Sequence, residues 1–253
     1  MNLKVIYTQE YLEEAERWAN QLSIPLSCAS AENAKETEEL HLKVDGNGLA
    51  LAQGNLELRG DFTRMLPRLR PSNLNREFLV KAGRIKNITS PVALDATAGL
   101  GEDSLLLAAA GFRVHLFEYN PIIGALLQDS MERGMENPEL QEVISRMTLH
   151  IADSIQALRN PEESIGCVPD LVLLDPMFPE RQKSALVKKK FQLLQQLESP
   201  CMEEEELLQA SLESGTGKIL IKRPLKGPYL AGKKPSYSIS GKAIRYDSII
   251  IPR

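Results

Sequence analysis

The chain has 253 residues, of which 43% are hydrophobic and 25% are charged, and its formal net charge is −4. This composition fits a globular protein with one large domain or two small ones. No apolar run approaches the roughly 20 residues that cross a bilayer, and no secretory signal is visible, so we expect a cytoplasmic protein without a membrane partner. The three cysteines and three histidines lack metal-ligand spacing, so we expect no metal.

Residues 1–60 are predicted to form a small α+β N-terminal domain. Leu3–Tyr7 has the pattern of a strand, and Glu10–Leu22 has the pattern of an amphipathic helix. Leu42–Ala52 resembles a β-hairpin with a polar, glycine-containing turn, and Leu56–Leu58 resembles another short strand.

Residues 61–90 are basic and partly helical, and we expect them to act as a connector. Over residues 91–253, apolar strands alternate with helices, which is typical of a mostly parallel sheet. The predicted strands are Val92–Leu94, Val114–Phe117, Met147–Ile151, Leu171–Leu174 and Lys218–Lys222, followed by a closing hairpin of Tyr237–Ser240 and Ile244–Ile251. The predicted helices are Ser104–Ala110, one capped by Asn120, Lys183–Leu197 and Met202–Leu212. We therefore expect a Rossmann-like α/β domain on a mostly parallel, seven-stranded sheet.

A glycine turn follows the first strand of this region. Asp95 ends the strand, and Gly99 and Gly101 open the following helix. Glycine lets the backbone approach a ligand closely, and ligands of open parallel sheets bind beyond the carboxyl ends of the strands. The turn lacks the glycine spacing of a dinucleotide fingerprint and the Lys-Ser/Thr of a phosphate loop. It therefore favours a cofactor without phosphates, such as S-adenosylmethionine (SAM); an ordinary tight connection is the alternative.

Acidic residues near the strand ends are candidates for contacts with such a cofactor. Glu118 ends the second strand, where a carboxylate can accept hydrogen bonds from a ribose diol or remain a solvated loop acid. Asp153 closes the third strand, with Ser154 beside it, and could meet the adenine amine or cap the next short helix. Glu102 and Asp103 begin the first helix, where they favour the helix dipole and could contact the methionine amino group.

Asp175-Pro-Met-Phe178 follows the fourth strand and predicts a slot for a flat base that carries an amine. Such an amine is a poor nucleophile, because its lone pair is delocalised into the ring. Two acceptors, the Asp175 carboxylate and the Pro176 carbonyl, would draw its nitrogen toward tetrahedral geometry, while Phe178 stacks on the base. A base in a helix would first have to be unstacked. The alternative is a proline-rich turn with a core phenylalanine.

The basic residues are unevenly distributed, although the net charge alone argues against a nucleic-acid partner. Residues 61–86 hold seven Lys/Arg and two acids, residues 181–190 hold five Lys/Arg and no acid, and residues 215–253 hold nine Lys/Arg and one acid. These segments could form one RNA-binding face or could simply be solvated surface. The candidate phosphate contacts are Lys183, Lys188, Lys189, Lys190, Lys222 and Arg223.

Several of these segments resemble the ribosomal RNA small subunit methyltransferase J family over residues 75–250. They are Asp95–Gly101, Glu118–Pro121, Asp175–Pro179, Gln182–Lys189 and Lys222–Pro224. The resemblance implies a class I SAM-dependent methyltransferase that acts on the exocyclic N2 of a guanine near the 3′ end of 16S ribosomal RNA, with that RNA or the 30S subunit as partner. It also implies SAM contacts at Glu102-Asp103, Glu118-Tyr119, Asp153-Ser154 and Asp175.

Met177 departs from the Asp-Pro-Pro-aromatic form of many amino-methyltransferases, which leaves the choice of base open. An N-methyltransferase for another RNA base, a small molecule or a protein amide is therefore an alternative. A non-catalytic RNA-binding protein with the same fold is another, and it predicts no SAM binding. Oligomeric state is left open by the sequence.

Overall fold

A computed structural model describes residues 3–28, 38–176, 192–194, 196–197 and 204–252. The strands are β1 (Val5–Tyr7), β2 (Leu26–Cys28), β3 (His41–Asp45), β4 (Gly48–Gln53), β5 (Leu56–Leu58), β6 (Val92–Asp95), β7 (Arg113–Glu118), β8 (Met147–Ile151), β9 (Leu171–Leu174), β10 (Lys218–Pro224), β11 (Tyr237–Ser240) and β12 (Ile244–Ile250). The α-helices are α1 (Leu12–Leu22), α2 (Leu66–Leu69), α3 (Pro71–Leu74), α4 (Phe78–Gly83), α5 (Glu102–Ala109), α6 (Pro121–Met135), α7 (Gln141–Ile144), α8 (Ser154–Arg159), α9 (Pro161–Ile165) and α10 (Glu204–Glu213). Short 3-10 helices occur at Gln9–Tyr11, Phe62–Met65 and Leu230–Gly232.

Some predicted site residues lie outside the described residues. They are Phe178, Lys183, Lys188, Lys189 and Lys190. Most of the predicted helix Lys183–Leu197 lies there as well, although its last part, residues 192–194 and 196–197, is helical.

The larger sheet has seven strands in the order β11-β12-β10-β9-β6-β7-β8. Its five strands from β10 to β8 pair in parallel, and β12 runs antiparallel to both β10 and β11. The predicted Rossmann-like α/β fold is therefore confirmed. The chain runs outward from β6 through β7 to β8 and then returns to place β9 on the other side of β6. This reversal makes β6 and β9 the switch point of the sheet, where ligands of such folds bind.

Helices cover both faces of this sheet, and β9 shows why. Leu171 and Leu173 face one core together with α5, whereas Val172 and Leu174 face the other core together with α8 and α10. Because alternate residues of a strand point to opposite faces, four consecutive buried apolar residues require cover on both sides.

The smaller sheet has the order β2-β1-β3-β4-β5, with α1 packed on it. Its core contains Trp18, Leu42 and Leu49, and it shares that core with Ile122 and Leu126 of α6. The sheet is therefore packed directly on a helix of the Rossmann-like domain. The division of the chain at residues 60 and 90 stays a prediction.

A buried charged contact also links the two sheets' domains. The Asp129 carboxylate of α6 accepts a hydrogen bond from the backbone N–H of Leu49 at 3.0 Å and pairs with Arg133 at 2.6 Å. Arg133 in turn donates to the Gly60 carbonyl at 2.6 Å. A buried carboxylate is stabilised when it is paired and hydrogen-bonded, so this contact holds β4 and the following segment against α6.

The segment of residues 61–90 packs between α5 and the β11–β12 hairpin. Leu79 and Ala82 of α4 are buried in the core that includes Leu107 of α5. Phe78 lies against the hairpin turn, where a β-carbon added to Gly241 would meet its ring at 2.9 Å. This packing brings two of the three basic segments next to each other.

Candidate active site

The ends of β6 and β9 lie side by side and are joined by hydrogen bonds. Asp95 pairs in register with Leu173, and the backbone N–H of Ala96 donates to the Leu173 carbonyl at 3.0 Å. The backbone N–H of Asp175 donates to the Thr97 hydroxyl at 2.6 Å. The glycine turn and the Asp175-Pro176 tip, which are far apart in sequence, are therefore one structural unit.

Asp95 stabilises the glycine turn through hydrogen bonds of its carboxylate. It is 2% exposed, and its carboxylate accepts hydrogen bonds from the backbone N–H of Thr97 at 3.1 Å and from the Ser104 hydroxyl at 2.6 Å. Burial raises the pKa of Asp95 to about 7, against these two hydrogen bonds. Both carboxylate oxygens are engaged within the turn, so Asp95 sets the shape of the turn.

The two glycines of the turn have different surroundings, although both have positive φ. Gly99 has φ +54°, and a β-carbon built there would meet no atom of the described residues within 4 Å. Gly101 has φ +77°, and a β-carbon there would lie 2.6 Å from Leu127 Cδ1 and 3.2 Å from Phe62 Cζ. Gly101 is therefore required for close packing, whereas Gly99 borders open space that a ligand can approach.

Glu118 ends β7 beside Gly99. Its carboxylate accepts hydrogen bonds from the backbone N–H groups of Gly99 and Asn120, each at 2.9 Å. Glu118 is 7% exposed, whereas the neighbouring Tyr119 is 79% exposed. These two backbone contacts orient the Glu118 carboxylate at the end of β7.

Asp153 and Ser154 lie at the end of β8, next to Glu118. The backbone N–H of Ala152 donates to the Glu118 carbonyl at 3.1 Å. The Asp153 carboxylate accepts from the backbone N–H of Ile155 at 2.8 Å, so the predicted helix-capping role of Asp153 is confirmed. Its contact with an adenine amine stays a prediction.

Lys222 lies between two carboxylates of the site. Its Nζ is 2.7 Å from Asp103 Oδ2 and 2.8 Å from Asp175 Oδ2. Burial opposes the charge of Lys222, but the two carboxylates outweigh burial and raise its pKa above the usual range. The sequence predicted a phosphate contact for Lys222, whereas the structure places its ammonium inside the site. Glu102, next to Asp103, is exposed.

Arg223 follows Lys222 in β10, so its side chain lies on the opposite face of the sheet, and it is only 1% exposed. Its Nε donates to the Pro228 carbonyl at 2.9 Å, and its Nη1 lies 3.7 Å from Glu204. The sequence predicted a surface contact with RNA, but these partners connect Arg223 to the loop after β10 and to the start of α10. Arg223 is therefore left out of the RNA surface proposed below.

Two side chains of the site were missed by sequence reasoning. Thr97 joins β6 to β9 through its hydroxyl, and Ser104 of α5 holds the buried carboxylate of Asp95. The sequence could indicate only that these hydroxyl side chains, which lie near a strand end, can form hydrogen bonds with neighbouring backbone groups. Nothing local indicates which backbone group they meet.

The arrangement fits SAM. Open space at Gly99 adjoins the Glu118 carboxylate, which suits a ribose, while the Asp103 carboxylate at the start of α5 suits an ammonium group. No phosphate cradle is needed. Among the described residues, no cluster of three His, Cys, Asp or Glu side chains could hold a metal ion, and no helix is long and apolar enough to cross a membrane.

Sheet order and site together define a class I SAM-dependent methyltransferase. A family model of SAM-dependent methyltransferases matches residues 27–251. A crystal structure of a SAM-dependent methyltransferase from Neisseria gonorrhoeae superposes with a TM-score of 0.75 at 27% identity, covering 98% of this chain and 95% of that one. SAM is therefore the cofactor.

Curated relatives narrow this class. Ribosomal RNA small subunit methyltransferase J from Pseudomonas fluorescens is 38% identical over 240 residues, covering 92% of this chain and 88% of the relative. The protein of that name from Pseudomonas aeruginosa is 37% identical over 241 residues, covering 93% and 89%. The chain belongs to the ribosomal RNA small subunit methyltransferase J family, and it is an enzyme.

Proposed function

We propose that this enzyme transfers a methyl group from SAM to the exocyclic N2 of a guanine in 16S ribosomal RNA. The names of the relatives support small-subunit ribosomal RNA as the substrate. The observation that carries the proposal is the hydrogen bond from Asp175 N–H to Thr97, because it places an acidic tip beside the cofactor turn. The partner is the free RNA or the 30S subunit, and the location is the cytoplasm.

Asp175 and Pro176 activate and orient the target amine in this proposal. The Asp175 carboxylate and the Pro176 carbonyl each accept a hydrogen bond from the amine, which localises the nitrogen lone pair and aims it across the site. Phe178, outside the described residues, stacks on the base after it leaves the RNA helix. SAM, when bound, supplies an already electrophilic methyl group, so the protein contributes mainly positioning.

The cofactor is held by residues of three neighbouring strand ends. Gly99 gives it room, Glu118 accepts from the ribose hydroxyls, and Tyr119 presents an exposed ring beside them. Asp153 and Ser154 lie where the adenine would reach the β8 end. Glu102 and Asp103, at the start of α5, face the methionine ammonium, while Asp95 and Gly101 keep the turn in shape.

A basic surface supports RNA as the substrate. We assign to it the side chains of Arg70 and Arg76, which flank α3, Lys81 of α4, Lys226 of the loop after β10 and Lys242 of the β11–β12 turn. All five side chains are exposed, and among the described residues none has a carboxylate within ion-pair distance. Pro224 pairs with Ile244, so the β11–β12 turn lies at the same sheet edge as the Asp175 tip. We propose that this basic surface and Lys183, Lys188, Lys189 and Lys190 contact RNA phosphates.

Asp175→Asn tests the proposed chemistry. The amide has one acceptor oxygen and an N–H group that opposes the amine, so we expect methylation of small-subunit RNA to fall by at least about 100-fold. The variant should retain its circular dichroism spectrum, and methylation is measured at SAM concentrations that calorimetry shows to be saturating for the variant, since Asp175 is also an expected SAM contact. Turnover equal to that of the wild type would refute the role of Asp175.

The substrate is tested separately with the wild-type enzyme. It is incubated with free 16S RNA, with 30S subunits, with nucleosides and with an unrelated protein mixture, and the modified products are mapped by mass spectrometry. We expect N2-methylguanine in the RNA or the subunit only. Methylation of another base, a nucleoside or a protein would replace the proposal with that alternative.

A further inference from the structure

We infer that Lys222 is a positioning residue for methyl transfer: it bridges Asp103 and Asp175, and so holds Asp175 ionised and aimed at the target amine. This inference rests on the proposed role of Asp175. The three side chains come from different elements, namely α5, the β9 end and β10. Their bridge ties the start of the cofactor helix to the base-binding tip through one ammonium group.

The geometry favours this role over a contact with an RNA phosphate. The Lys222 side chain is 25% exposed, and the two carboxylate oxygens lie at 2.7 and 2.8 Å, the usual lengths of charge-assisted hydrogen bonds. Tyr246 pairs with Lys222 in register on β12, so both side chains lie on the same face of the sheet, and Tyr246 is 3% exposed. A lysine that bound RNA would first have to leave both carboxylates.

The charges around Asp175 explain why a cation is needed there. The charged and titratable groups around it are Asp95 from β6, Asp103 from α5, Lys222 from β10 and Tyr246 from β12, with Arg223 on the other face of β10. Burial raises the pKa of Asp175 and Asp103 adds to that rise, while Lys222 opposes both and Arg223 opposes them more weakly. Burial also raises the pKa of Tyr246, which therefore stays a neutral phenol. Without Lys222, the carboxyl groups of Asp95, Asp103 and Asp175 would lose the ammonium group that offsets their negative charge, and Asp175 would take up a proton more readily.

Protonation of Asp175 would remove its function. An ionised carboxylate accepts a hydrogen bond from the target amine, whereas a protonated carboxyl can turn its O–H toward that amine. During transfer the carbon–sulfur bond breaks, its electron pair stays on sulfur, and the amine nitrogen forms the new bond. The nitrogen then carries a positive charge and releases a proton, which ionised Asp175 can accept.

Three variants and a matched control test the inference. Lys222→Met removes the cation, Lys222→Arg keeps it, and Asp103→Asn removes one of the two negative neighbours. Lys43→Met is the control, because Lys43 also lies between two carboxylates, Asp45 and Glu57, but in the smaller sheet. Its side chain is 21% exposed, close to the 25% of Lys222.

The first measurement is the titration of the Asp175 carboxyl carbon by NMR in the cofactor-free enzyme. We expect its midpoint to rise by about 1–3 pH units in Lys222→Met and to fall in Asp103→Asn. It should remain within half a unit of wild type in Lys222→Arg and Lys43→Met. Opposite shifts in two variants cannot arise from general loss of structure, and an unchanged midpoint in Lys222→Met would overturn the inference.

The second measurement is the pH dependence of single-turnover methylation at saturating SAM. The acidic limb should move with the NMR midpoint, and the rate of Lys222→Met should rise above the new midpoint to a plateau below that of wild type, because Asp175 is then ionised but no longer held by the ammonium. If Lys222 instead binds a phosphate, Lys222→Met will leave the limb in place and reduce the salt dependence of RNA binding by about one ion, which refutes the inference. If the wild type methylates no RNA, the proposed function fails, while the NMR result still decides whether Lys222 controls Asp175.

Discussion

Alanine at Gly99 or Gly101 should separate cofactor binding from stability within one turn. At either position alanine must adopt positive φ, which costs about 1–2 kcal/mol. At Gly101 the added methyl also meets Leu127 at 2.6 Å and Phe62 at 3.2 Å. Both neighbours are buried and cannot swing into solvent, so overpacking adds about 1–3 kcal/mol. We therefore expect Gly101→Ala to lose about 2–5 kcal/mol and Gly99→Ala to lose only about 1–2 kcal/mol.

Binding should follow the reverse order. The methyl of Gly99→Ala would enter the open space beside Glu118, where the cofactor is proposed to lie. We expect its affinity for SAM to fall by at least about tenfold, or 1.4 kcal/mol. Folded Gly101→Ala should bind SAM within a few-fold of wild type, because its methyl points into the core.

Chemical denaturation measures the free energy of unfolding, and calorimetry at a temperature where both variants are folded measures SAM affinity. The wild type and both variants are compared in the same buffer. Greater destabilisation by Gly99→Ala than by Gly101→Ala would refute the packing analysis. Wild-type SAM affinity in Gly99→Ala would show that the cofactor does not use the space at this glycine.

Two further predictions concern charge. Burial raises the pKa of Asp95 in the folded state to about 7, above its ordinary 3.8. Between about pH 4 and 7 the unfolded state therefore loses the Asp95 proton first, so the contribution of Asp95 to the free energy of unfolding falls as the pH rises. Urea denaturation should therefore show a smaller fall in stability over that range for Asp95→Asn; an equal fall would contradict this. In Arg76→Glu combined with Lys242→Glu, RNA binding should weaken most at low salt, and an unchanged slope of affinity against salt would exclude this surface.

Strands and helices were predictable where local pattern is strong. β8 and β9 have the bounds that the sequence predicted, and Asn120 caps α6 by accepting from the backbone N–H groups of Ile122 and Ile123. β2 was missed, because Leu26–Cys28 is a short, partly exposed edge strand without apolar alternation. In the sequence, α1 separates β2 from its partner β1, and only the parallel pairing with β1 makes Leu26–Cys28 a strand.

The acidic side chains of the site were predictable for a similar reason. Asp95, Glu118 and Asp175 each follow an apolar strand, and the carboxyl ends of parallel strands share one edge of the sheet. The basic residues were harder to assign, because a lysine or an arginine after a strand looks the same in sequence whether it faces solvent or the core. Lys222 faces two carboxylates and Arg223 is buried, although both had been predicted to contact RNA.

Element type, the glycine turn and the acidic strand ends follow from neighbouring residues, since periodicity, capping and backbone freedom are local properties. Which elements lie side by side does not follow from the local sequence, because strand order and helix packing depend on contacts between distant parts of the chain. The placement of β9 beside β6, the bridge from Lys222 to Asp103 and Asp175, and the contact of the smaller sheet with α6 were all decided in this way. Each depends on which buried surfaces and charges fit together once the whole chain has collapsed.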